Sequence, residues 1–418
     1  MKLKQMTDVR KSILKDSQIR KFEAYGFLKD LKFFEPYLIV FLVGKNINLF
    51  EIGILISIRE IIINVFEIPS GIIADTYGRK NELCLCFIFY MVAFALFFFV
   101  SGFVIACVAM VFYGLGEAFR SGTHKAMIYT YLDRMDWSFE KTFVYGRTRS
   151  WSLIGASLSS LVGIVLILIM PSAEYIFIFS IVPYLIDFVL VLSYPDYLDS
   201  DNKEKATLRQ SLKSFTSGFR RHGMLASLIA EEGIAEAAYS YSKDMVQPFL
   251  QTVFIASQLV LISGLSSDEN LKVALGLIYA VMNLLGSFFS KRAYWFKGKR
   301  TNLFCLTVIH IMLGMVFALL LLFQTNSLVI CLLFLGIYIL QNLRKPIFID
   351  EIDDNIDKTE RATVLSIASQ IKSIFLAVLS PILGFVAQRF GLGMAMAALS
   401  VVLFLTTGLL VSKNRSSK

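Results

Sequence analysis

The sequence predicts an all-α membrane protein whose twelve transmembrane helices form two pseudo-symmetric six-helix bundles. The 418 residues are 56% hydrophobic and only 17% charged, whereas soluble domains average about 45–50% apolar and about 25% charged residues. Apolar runs of about 20 residues recur along the chain, and a helix of that length crosses about 30 Å of hydrocarbon. Lysine and arginine concentrate in alternate connections between these runs, as they do on the cytoplasmic side of membrane proteins.

The apolar runs fall into two sets of six. The first set covers residues 22–44, 51–74, 81–100, 103–131, 148–170 and 174–194, and the second covers residues 224–258, 270–292, 302–323, 327–347, 363–388 and 391–411. These sets predict a basic amino-terminal segment (1–21), a first bundle (22–194), a polar linker (195–222), a second bundle (223–411) and a tail (412–418). Because the positive charges lie on one side, we expect both termini in the cytoplasm.

One loop between the second and third runs carries a recognisable motif, G-x-x-x-D-x-x-G-R-K. Its residues are Gly71, Asp75, Gly78, Arg79 and Lys80. The motif resembles the loop signature of the major facilitator superfamily of transporters. Weak repeats between the two halves extend this resemblance, since Glu35-Pro36-Tyr37-Leu38 is similar to Gln247-Pro248-Phe249-Leu250. Together with the helix count and the central linker, the resemblance covers essentially the whole chain.

The resemblance implies secondary active transport by alternating access, in which two bundles rock about a central site. By the same resemblance, Asp75 bridges to the other bundle and stabilises an outward-facing state, and Arg79 belongs to that charge network. Gly71 and Gly78 would then allow close packing of the gate. The expected energy source is a gradient of protons or another ion, with no cofactor.

Polar stripes inside the apolar runs predict which helix faces line a cavity. A charge at the bilayer centre costs about 2.5–3.5 kcal/mol on insertion scales, so such residues face the bundle interior or water. At helical spacing, the stripes are Glu60, Asn64, Glu67, Gly71 and Asp75; Glu117, Arg120 and His124; and Glu232, Glu236, Tyr239, Lys243 and Gln247. The like charges of Glu232 and Glu236 make that pair a candidate proton carrier, and His124 is a candidate relay.

Other polar residues in the runs complete the predicted substrate and proton pathway. They are Glu35, Arg59, Asn283, Asn342 and Gln370.

Three hypotheses for function remain open from the sequence. The favoured one is export of amphipathic, often cationic solutes, supported by embedded acids and by an aromatic lining of Phe33, Phe34, Tyr37, Tyr239, Tyr241 and Phe249. The fifth run lacks proline, however, and so departs from the Gly-Pro-rich signature of antiporters in this family. The second hypothesis is a proton-coupled symporter or facilitator for an anionic or zwitterionic metabolite, with counter-charges among Arg59, Arg120, Lys243 and Lys372. The third is a membrane scaffold or sensor that transports nothing.

Several other classes of function have no motif in this sequence. A P-loop, a G-x-S-x-G elbow, an H-E-x-x-H pair and a dinucleotide fingerprint are all missing, which argues against an enzyme. No histidine pair stands at metal-ligand spacing with carboxylates, so we predict no metal site. The net charge of +9 is explained by membrane topology rather than nucleic-acid binding. The expected partners are a small-molecule substrate and the lipid bilayer, for a monomer spanning the plasma (inner) membrane several times.

Overall fold

The computed structural model describes residues 2–199, 223–257, 260–298, 300–355 and 361–416. Within these ranges the chain is helical and contains no strand. The helices are α1 (Lys2–Lys15), α2 (Ser17–Leu28), α3 (Leu38–Gly44), α4 (Leu49–Tyr77), α5 (Arg79–Phe98), α6 (Phe103–Arg120), α7 (Thr123–Arg134), α8 (Lys141–Ile169), α9 (Tyr175–Leu192), α10 (Gly223–Ser257), α11 (Ser267–Lys297), α12 (Asn302–Leu322), α13 (Ser327–Asn355), α14 (Arg361–Phe390) and α15 (Leu392–Ser416). The predicted linker lies outside the described residues from position 200 to its end.

Eight helical segments in the described ranges are long and apolar enough to cross a membrane. They coincide with the third to sixth and the eighth to eleventh predicted runs, and they are Arg79–Phe98, Phe103–Arg134, Phe143–Ile169, Tyr175–Leu192, Ser267–Ser290, Asn302–Leu322, Ser327–Ile352 and Ile367–Phe390. Charged residues interrupt α4 and α10, and the apolar part of α15, Leu392–Gly408, is shorter. Twelve crossings and the orientation of the termini therefore stay predictions.

The prediction of one continuous helix over residues 22–44 is wrong. The first helix of this run, α2, ends at Leu28, and α3 begins only at Leu38. Pro36 explains much of the interruption, because proline has no N–H to donate and disfavours helical backbone in the residue before it. The polar residues of the non-helical stretch are Lys29, Asp30, Lys32 and Glu35.

The run predicted over residues 103–131 is found as one apolar segment, Phe103–Arg134, but its helix is not continuous. The helix α6 ends at Arg120 and α7 begins at Thr123, with Gly122 between them at a φ of 82°. A left-handed residue cannot continue a right-handed helix. The predicted stripe Glu117, Arg120 and His124 therefore does not lie on one helix face.

The described residues form two compact units. The amino-terminal unit comprises the described residues within Met1–Glu35, Ile62–Val100 and Val104–Leu208. In it α5 packs on α9 and α2 packs on α8. Its core is rich in aromatic rings: the centroid of the Phe94 ring lies 5.0 Å from that of Phe34 and 4.9 Å from that of Tyr184.

The carboxy-terminal unit comprises the described residues within Pro36–Ile61, Ser101–Phe103 and Arg209–Lys418. In it α12 packs on α15, α10 on α14 and α11 on α13. This unit includes α3 and the first half of α4, which the sequence placed in the first bundle. The predicted domain boundaries themselves stay a prediction.

Candidate functional site

A group of charged side chains lies where the first predicted run is interrupted. The Lys32 ammonium nitrogen is 2.8 Å from Glu117 Oε1 and 2.9 Å from the Tyr113 hydroxyl oxygen. The second oxygen of Glu117 accepts a 2.5 Å hydrogen bond from Arg120. Two cations therefore share one carboxylate inside the amino-terminal unit.

Lys29 and Asp30 add a second ion pair to this group. Lys29 Nζ donates to Asp30 Oδ2 at 2.7 Å and to Ser152 Oγ at 3.0 Å, and the Ser152 hydroxyl donates to Asp30. All five charged side chains keep between 11% and 24% of their surface exposed. We call them the amino-terminal charge cluster: Lys29, Asp30, Lys32, Glu117 and Arg120.

The sequence prediction included Glu117 and Arg120 but missed Lys29, Asp30 and Lys32. A search for helical stripes cannot find residues 29–32, because they lie outside the helices. The available signal was the interruption itself. In membrane transporters, apolar segments broken by proline or glycine point to the binding site.

His124 lies away from this cluster, in an aromatic core. Its ring stacks on Tyr25 with centroids 3.6 Å apart, and its Nε2 is 3.2 Å from the Tyr194 hydroxyl oxygen. Phe22 meets the same imidazole edge-on at 5.3 Å. The predicted role of His124 as a proton relay stays a prediction.

A second group of charges lies in the carboxy-terminal unit, where Arg344 of α13 meets two glutamates of α10. Its guanidinium is 3.1 Å from Glu232 Oε2 and 2.7 Å from Glu236 Oε2. Lys345 Nζ lies 3.6 Å from Glu236 Oε1, and Gln341 donates to the same side chain. We call Glu232, Glu236, Arg344 and Lys345 the carboxy-terminal charge cluster.

Arg344 is the residue of this cluster that the sequence prediction missed. Its side chain is 0% exposed, whereas that of Lys345 is 56% exposed. The guanidinium offsets the repulsion that we expected between Glu232 and Glu236. The spacing of Gln341 and Arg344 was the available signal, because residues three apart share a helix face.

A cavity of about 270 Å³ lies beside the carboxy-terminal charge cluster. Lys372 of α14 adds a third charged element to its wall. The complete lining is Glu232, Gly233, Glu236, Lys345, Phe348, Ile349, Ala368, Ser369 and Lys372. Acidic, basic and apolar groups thus converge on a space large enough for a small molecule.

Glu60 lies on α4, the helix that precedes the loop motif, and forms an ion pair with Lys372 of α14. Its carboxylate is only 2% exposed, and it lies 3.1 Å from Arg59 and 3.3 Å from Lys372. Arg59 is in turn 3.9 Å from Asp244 Oδ2. Two predicted counter-charges, Arg59 and Lys372, are therefore brought together by one buried acid.

Gln247 links α3 to the other helices of the carboxy-terminal unit. Its side-chain oxygen accepts the backbone N–H of Ile39 at 2.8 Å, and its nitrogen donates to the Tyr279 hydroxyl at 3.0 Å. Tyr279 donates in turn to the Lys243 carbonyl oxygen at 2.9 Å. Gln247 is buried, so its observed contacts are with protein groups.

Four of the remaining predicted residues lie in the carboxy-terminal unit, and three of them contact Tyr338. The Tyr338 hydroxyl donates to Asn283 Oδ1 at 2.8 Å, and its carbonyl oxygen accepts from Asn342 at 2.9 Å. The ring of Tyr239 packs 5.7 Å from that of Tyr338. Gln370 is buried in the same unit.

The predicted stripe along α4 does share one continuous helix. Its exposure changes along the helix: Glu60 is buried, Asn64 and Glu67 are half-buried, and Asp75 is exposed. Glu35 is half-buried as well, and its backbone N–H donates to the Lys32 carbonyl oxygen at 3.0 Å.

The loop motif is held by a carboxylate from a distant part of the chain. Gly78 precedes α5 with a φ of 94° and has no side chain to cap the helix. Asp199 Oδ1 instead accepts the Lys80 backbone N–H at 2.8 Å, which satisfies one of the free donors at the helix start. Arg79 donates to Thr130 Oγ1 at 2.8 Å. These contacts hold the loop inside the amino-terminal unit.

The two glycines of the motif have different surroundings. A Cβ on Gly71 would meet no heavy atom within 4 Å in the described chain, so the expected close packing there is not observed. A Cβ on Gly78 would lie 2.9 Å from an Asp199 carboxylate oxygen. Only Gly78 therefore needs to be glycine in this arrangement.

We expect Gly78→Ala to destabilise the protein by about 1–3 kcal/mol, because a side chain is strained at this φ and crowds the Asp199 carboxylate. The melting temperature of the purified protein measures the effect. Gly71→Ala is the matched control, and it should leave stability unchanged or raise it by up to about 1 kcal/mol because alanine favours a helix. Equal melting temperatures for the two variants would contradict this assignment.

Comparison with known proteins identifies the family. A model of the Major Facilitator Superfamily matches residues 30–374. The chain belongs to the major facilitator superfamily. A curated relative, an uncharacterized MFS-type transporter called YxaM from Bacillus subtilis (strain 168), is 33% identical over 90 residues. That match spans 22% of this transporter and 23% of the relative.

Solved transporter structures share the fold at low sequence identity. The nucleoside transporter NupG has a TM-score of 0.77 at 12% identity, covering 95% of this chain and 99% of its own. A peptide transporter, POT in complex with sulfate, has a TM-score of 0.74 at 10% identity, covering 95% and 94%. The human organic anion transporter MFSD10 (TETRAN) has a TM-score of 0.62 at 14% identity, covering 94% and 100%.

Family membership and the apolar helices support a multi-pass membrane transporter with a small-molecule substrate. The names of the three structural relatives refer to different classes of solute. The fold alone therefore does not select a substrate for this transporter.

Proposed function

We propose that this protein is a secondary active transporter of a small polar solute that is anionic or zwitterionic. The observation that carries the proposal is the pair of lysines at the cavity of the carboxy-terminal unit, Lys345 and Lys372. Lys345 is more than half exposed and Lys372 is a quarter exposed. Both ammonium groups are therefore open to a solute, and the buried Glu60 that pairs with Lys372 keeps Arg59 at 3.1 Å as a second partner.

The acids at the same cavity favour a solute that also carries a positive charge. Glu236 accepts from Arg344 and Gln341 yet keeps a fifth of its side chain exposed. A carboxylate or phosphate of the solute would meet the lysines, and an ammonium group would meet Glu236. A zwitterion fits this arrangement with both of its charges compensated.

Export of amphipathic cations loses part of one of the two observations that favoured it, the aromatic lining, and keeps the embedded acids. Four of the six aromatic residues expected to line a cavity are instead buried in helix packing, and they are Phe34, Tyr37, Tyr241 and Phe249. Phe34, for example, packs on Phe94 and Phe177. The predicted drug-type export and antiport accordingly have less support than uptake or exchange of a polar solute, and we retain proton coupling as part of the proposal.

Thermal stabilisation of the purified protein by probe solutes tests the substrate class. The probes are alanyl-alanine as a zwitterion, succinate as a dianion, uridine as a neutral nucleoside and tetraphenylphosphonium as a lipophilic cation. We expect alanyl-alanine or succinate to raise the melting temperature, and then to drive uptake into proteoliposomes. Stabilisation by tetraphenylphosphonium alone would support the exporter hypothesis, and no response to any probe would count against a polar site.

A variant that lacks one lysine charge tests whether the thermal stabilisation by the solute arises at the cavity. We expect Lys372→Gln to weaken the apparent affinity for the stabilising anion or zwitterion about tenfold, the equivalent of about 1.4 kcal/mol. Lys297→Gln is the control, because Lys297 is similarly exposed but pairs with Asp350 at 3.6 Å, away from the cavity lining. An equal loss in both variants would remove the cavity from the proposal.

A further inference from the structure

Asp187 is a fully buried acid without a hydrogen-bond partner. Asp187 lies in α9 and is 0% exposed, and neither of its carboxyl oxygens has a hydrogen-bond partner in the described structure. The other acids nearby are satisfied, since Asp30 binds Lys29 and Glu117 binds Lys32. An ionised carboxylate without a partner in such a place costs several kcal/mol. The neutral, proton-bearing form is therefore the one that this core accommodates.

The position of Asp187 follows from the packing of α9 on α2. Tyr184, one turn earlier on the same face, donates to the Lys29 carbonyl oxygen at 2.8 Å. Tyr194, beyond the end of α9, lies 3.5 Å from the Lys21 carbonyl oxygen. The two helices are thus antiparallel, and Asp187 faces the last turns of α2. The Tyr25 hydroxyl on that helix also lacks a hydrogen-bond partner in the described structure.

Charged and titratable groups of several other elements interact with Asp187. The groups that interact with it electrostatically are Tyr25 of α2, Lys29 and Asp30 after α2, Cys86 of α5, Arg120 of α6 and Tyr194 after α9. On α8, Arg147 is held by Glu23 at 2.6 Å. The nearby cations, Lys29 and Arg120, both belong to the amino-terminal charge cluster.

The charge cluster is left with one positive charge in excess when Asp187 is neutral. It contains three cations, Lys29, Lys32 and Arg120, and two carboxylates, Asp30 and Glu117. An ionised Asp187 would supply the missing negative charge from within the core. An anionic group of a solute would supply it from the exposed side. The two negative charges compete for the same cations.

We propose that Asp187 binds a proton, and that this proton favours binding of an anionic group at Lys29, Lys32 and Arg120. This inference rests on the proposed function and deepens it, because it names the residue that couples the proton to the anion. The coupling is reciprocal: if the proton tightens anion binding, the anion tightens proton binding by the same factor. Proton and anion then move together.

Sulfate tests this coupling, because its charge is constant across the working pH range. Thermal stabilisation of the full-length protein by sodium sulfate, against sodium chloride at equal ionic strength, gives an apparent affinity at about pH 5 and at the highest pH at which the protein stays folded. We expect the wild-type affinity to be at least fivefold (~1 kcal/mol) tighter at the lower pH. Asp187→Asn, which keeps the shape of the neutral acid, should bind sulfate tightly at both pH values.

Two further variants separate the inference from the proposed function. Glu82→Gln is the control, because Glu82 is also buried but accepts a 2.5 Å hydrogen bond from Thr123, and it should retain the wild-type pH dependence. Lys32→Gln should remove the pH-dependent part of the sulfate effect and leave any stabilisation that depends on Lys372 at the cavity of the carboxy-terminal unit. A wild-type pH dependence in Asp187→Asn, or its loss in Glu82→Gln instead, overturns the role of Asp187 and leaves the anion site standing. No sulfate effect in any protein overturns both the coupling and the anion site of the amino-terminal unit.

Infrared spectroscopy supplies a measurement that does not depend on sulfate or on folding of the variant. The wild-type protein at neutral pH should show the carbonyl stretch of a protonated carboxyl that lacks hydrogen bonds, and this band should shrink at high pH. Absence of that band would also overturn the inference.

Discussion

Replacing Arg344 with methionine should cost about 3–5 kcal/mol of stability, because it removes the only fully buried cation of the carboxy-terminal charge cluster and leaves the buried Glu232 without its cation. Arg344 is 0% exposed and bonds Glu232 and Glu236 at 3.1 and 2.7 Å. Both carboxylates sit on one helix, one turn apart, so their mutual repulsion adds to the loss. The melting temperature and the monodisperse fraction after extraction should both fall sharply.

The neighbouring lysine provides a matched control for this effect. Lys345→Met removes a charge from the next position, but Lys345 is 56% exposed and 3.6 Å from Glu236, so its contribution to stability is about 0–1 kcal/mol. Combining Arg344→Met with Glu232→Gln and Glu236→Gln should restore most of the lost stability, since no buried charge is then left unpaired. A mild Arg344→Met phenotype, or no recovery in the triple variant, would show that the cluster does not depend on this charge balance.

The fold was predictable because it follows from composition and periodicity, which extend over hundreds of residues. Eight of the predicted runs reappear as apolar helices, most with ends within a few residues of the predicted ones. The errors occur where a single residue changes the backbone. Pro36 and Gly122 each interrupt a predicted run, and hydropathy averaged over a window does not register a break made by one residue.

The candidate site was predictable only where its residues lie on regular helices. Glu60, Glu117, Glu232 and Glu236 were found because their spacing repeats with the helix period. Lys29 and Lys32 were missed because they stand in the interruption after α2. The partner of an acid cannot be read from spacing along its own helix, so the pairing of Glu60 with Lys372, 312 positions away, required the structure.

The sequence did not predict the close backbone contact between α4 and α14. This contact is the basis of the second large prediction. A Cβ on Gly53 would overlap the Ser380 carbonyl oxygen and lie 2.9 Å from its carbonyl carbon. Gly384 approaches α4 in the same way, with a Cβ placed 2.5 Å from the Leu49 carbonyl oxygen. Backbone atoms cannot rotate away as a side chain can, so Gly53→Ala must move the two helices apart.

Gly53 and Gly384 lie in one compact unit, although the sequence predicts that α4 belongs to the first bundle and α14 to the second. If that prediction holds, this contact would form and break in alternating access, and its strength would set the ratio of the packed to the separated arrangement. We expect Gly53→Ala to lower the ratio of the packed to the separated arrangement about tenfold, the effect of about 1.4 kcal/mol, while the protein remains folded. The Ser57 hydroxyl, which donates to the Ala377 carbonyl oxygen at 2.7 Å, would lose its partner in the separated arrangement.

Cysteine cross-linking measures this population directly. The rings of Phe50 and Phe385 lie 6.2 Å apart across the two helices, so Phe50→Cys and Phe385→Cys, in a background without the five native cysteines, report on their proximity. Oxidative cross-linking should be slower when Gly53→Ala is added, by up to about tenfold where the packed state is the minor one, because the rate follows the population of the packed state. Gly44→Ala is the control, because a Cβ there meets no described heavy atom within 4 Å. Equal rates with and without Gly53→Ala would mean that the contact yields by local bending, and that it does not hold the two predicted bundles together.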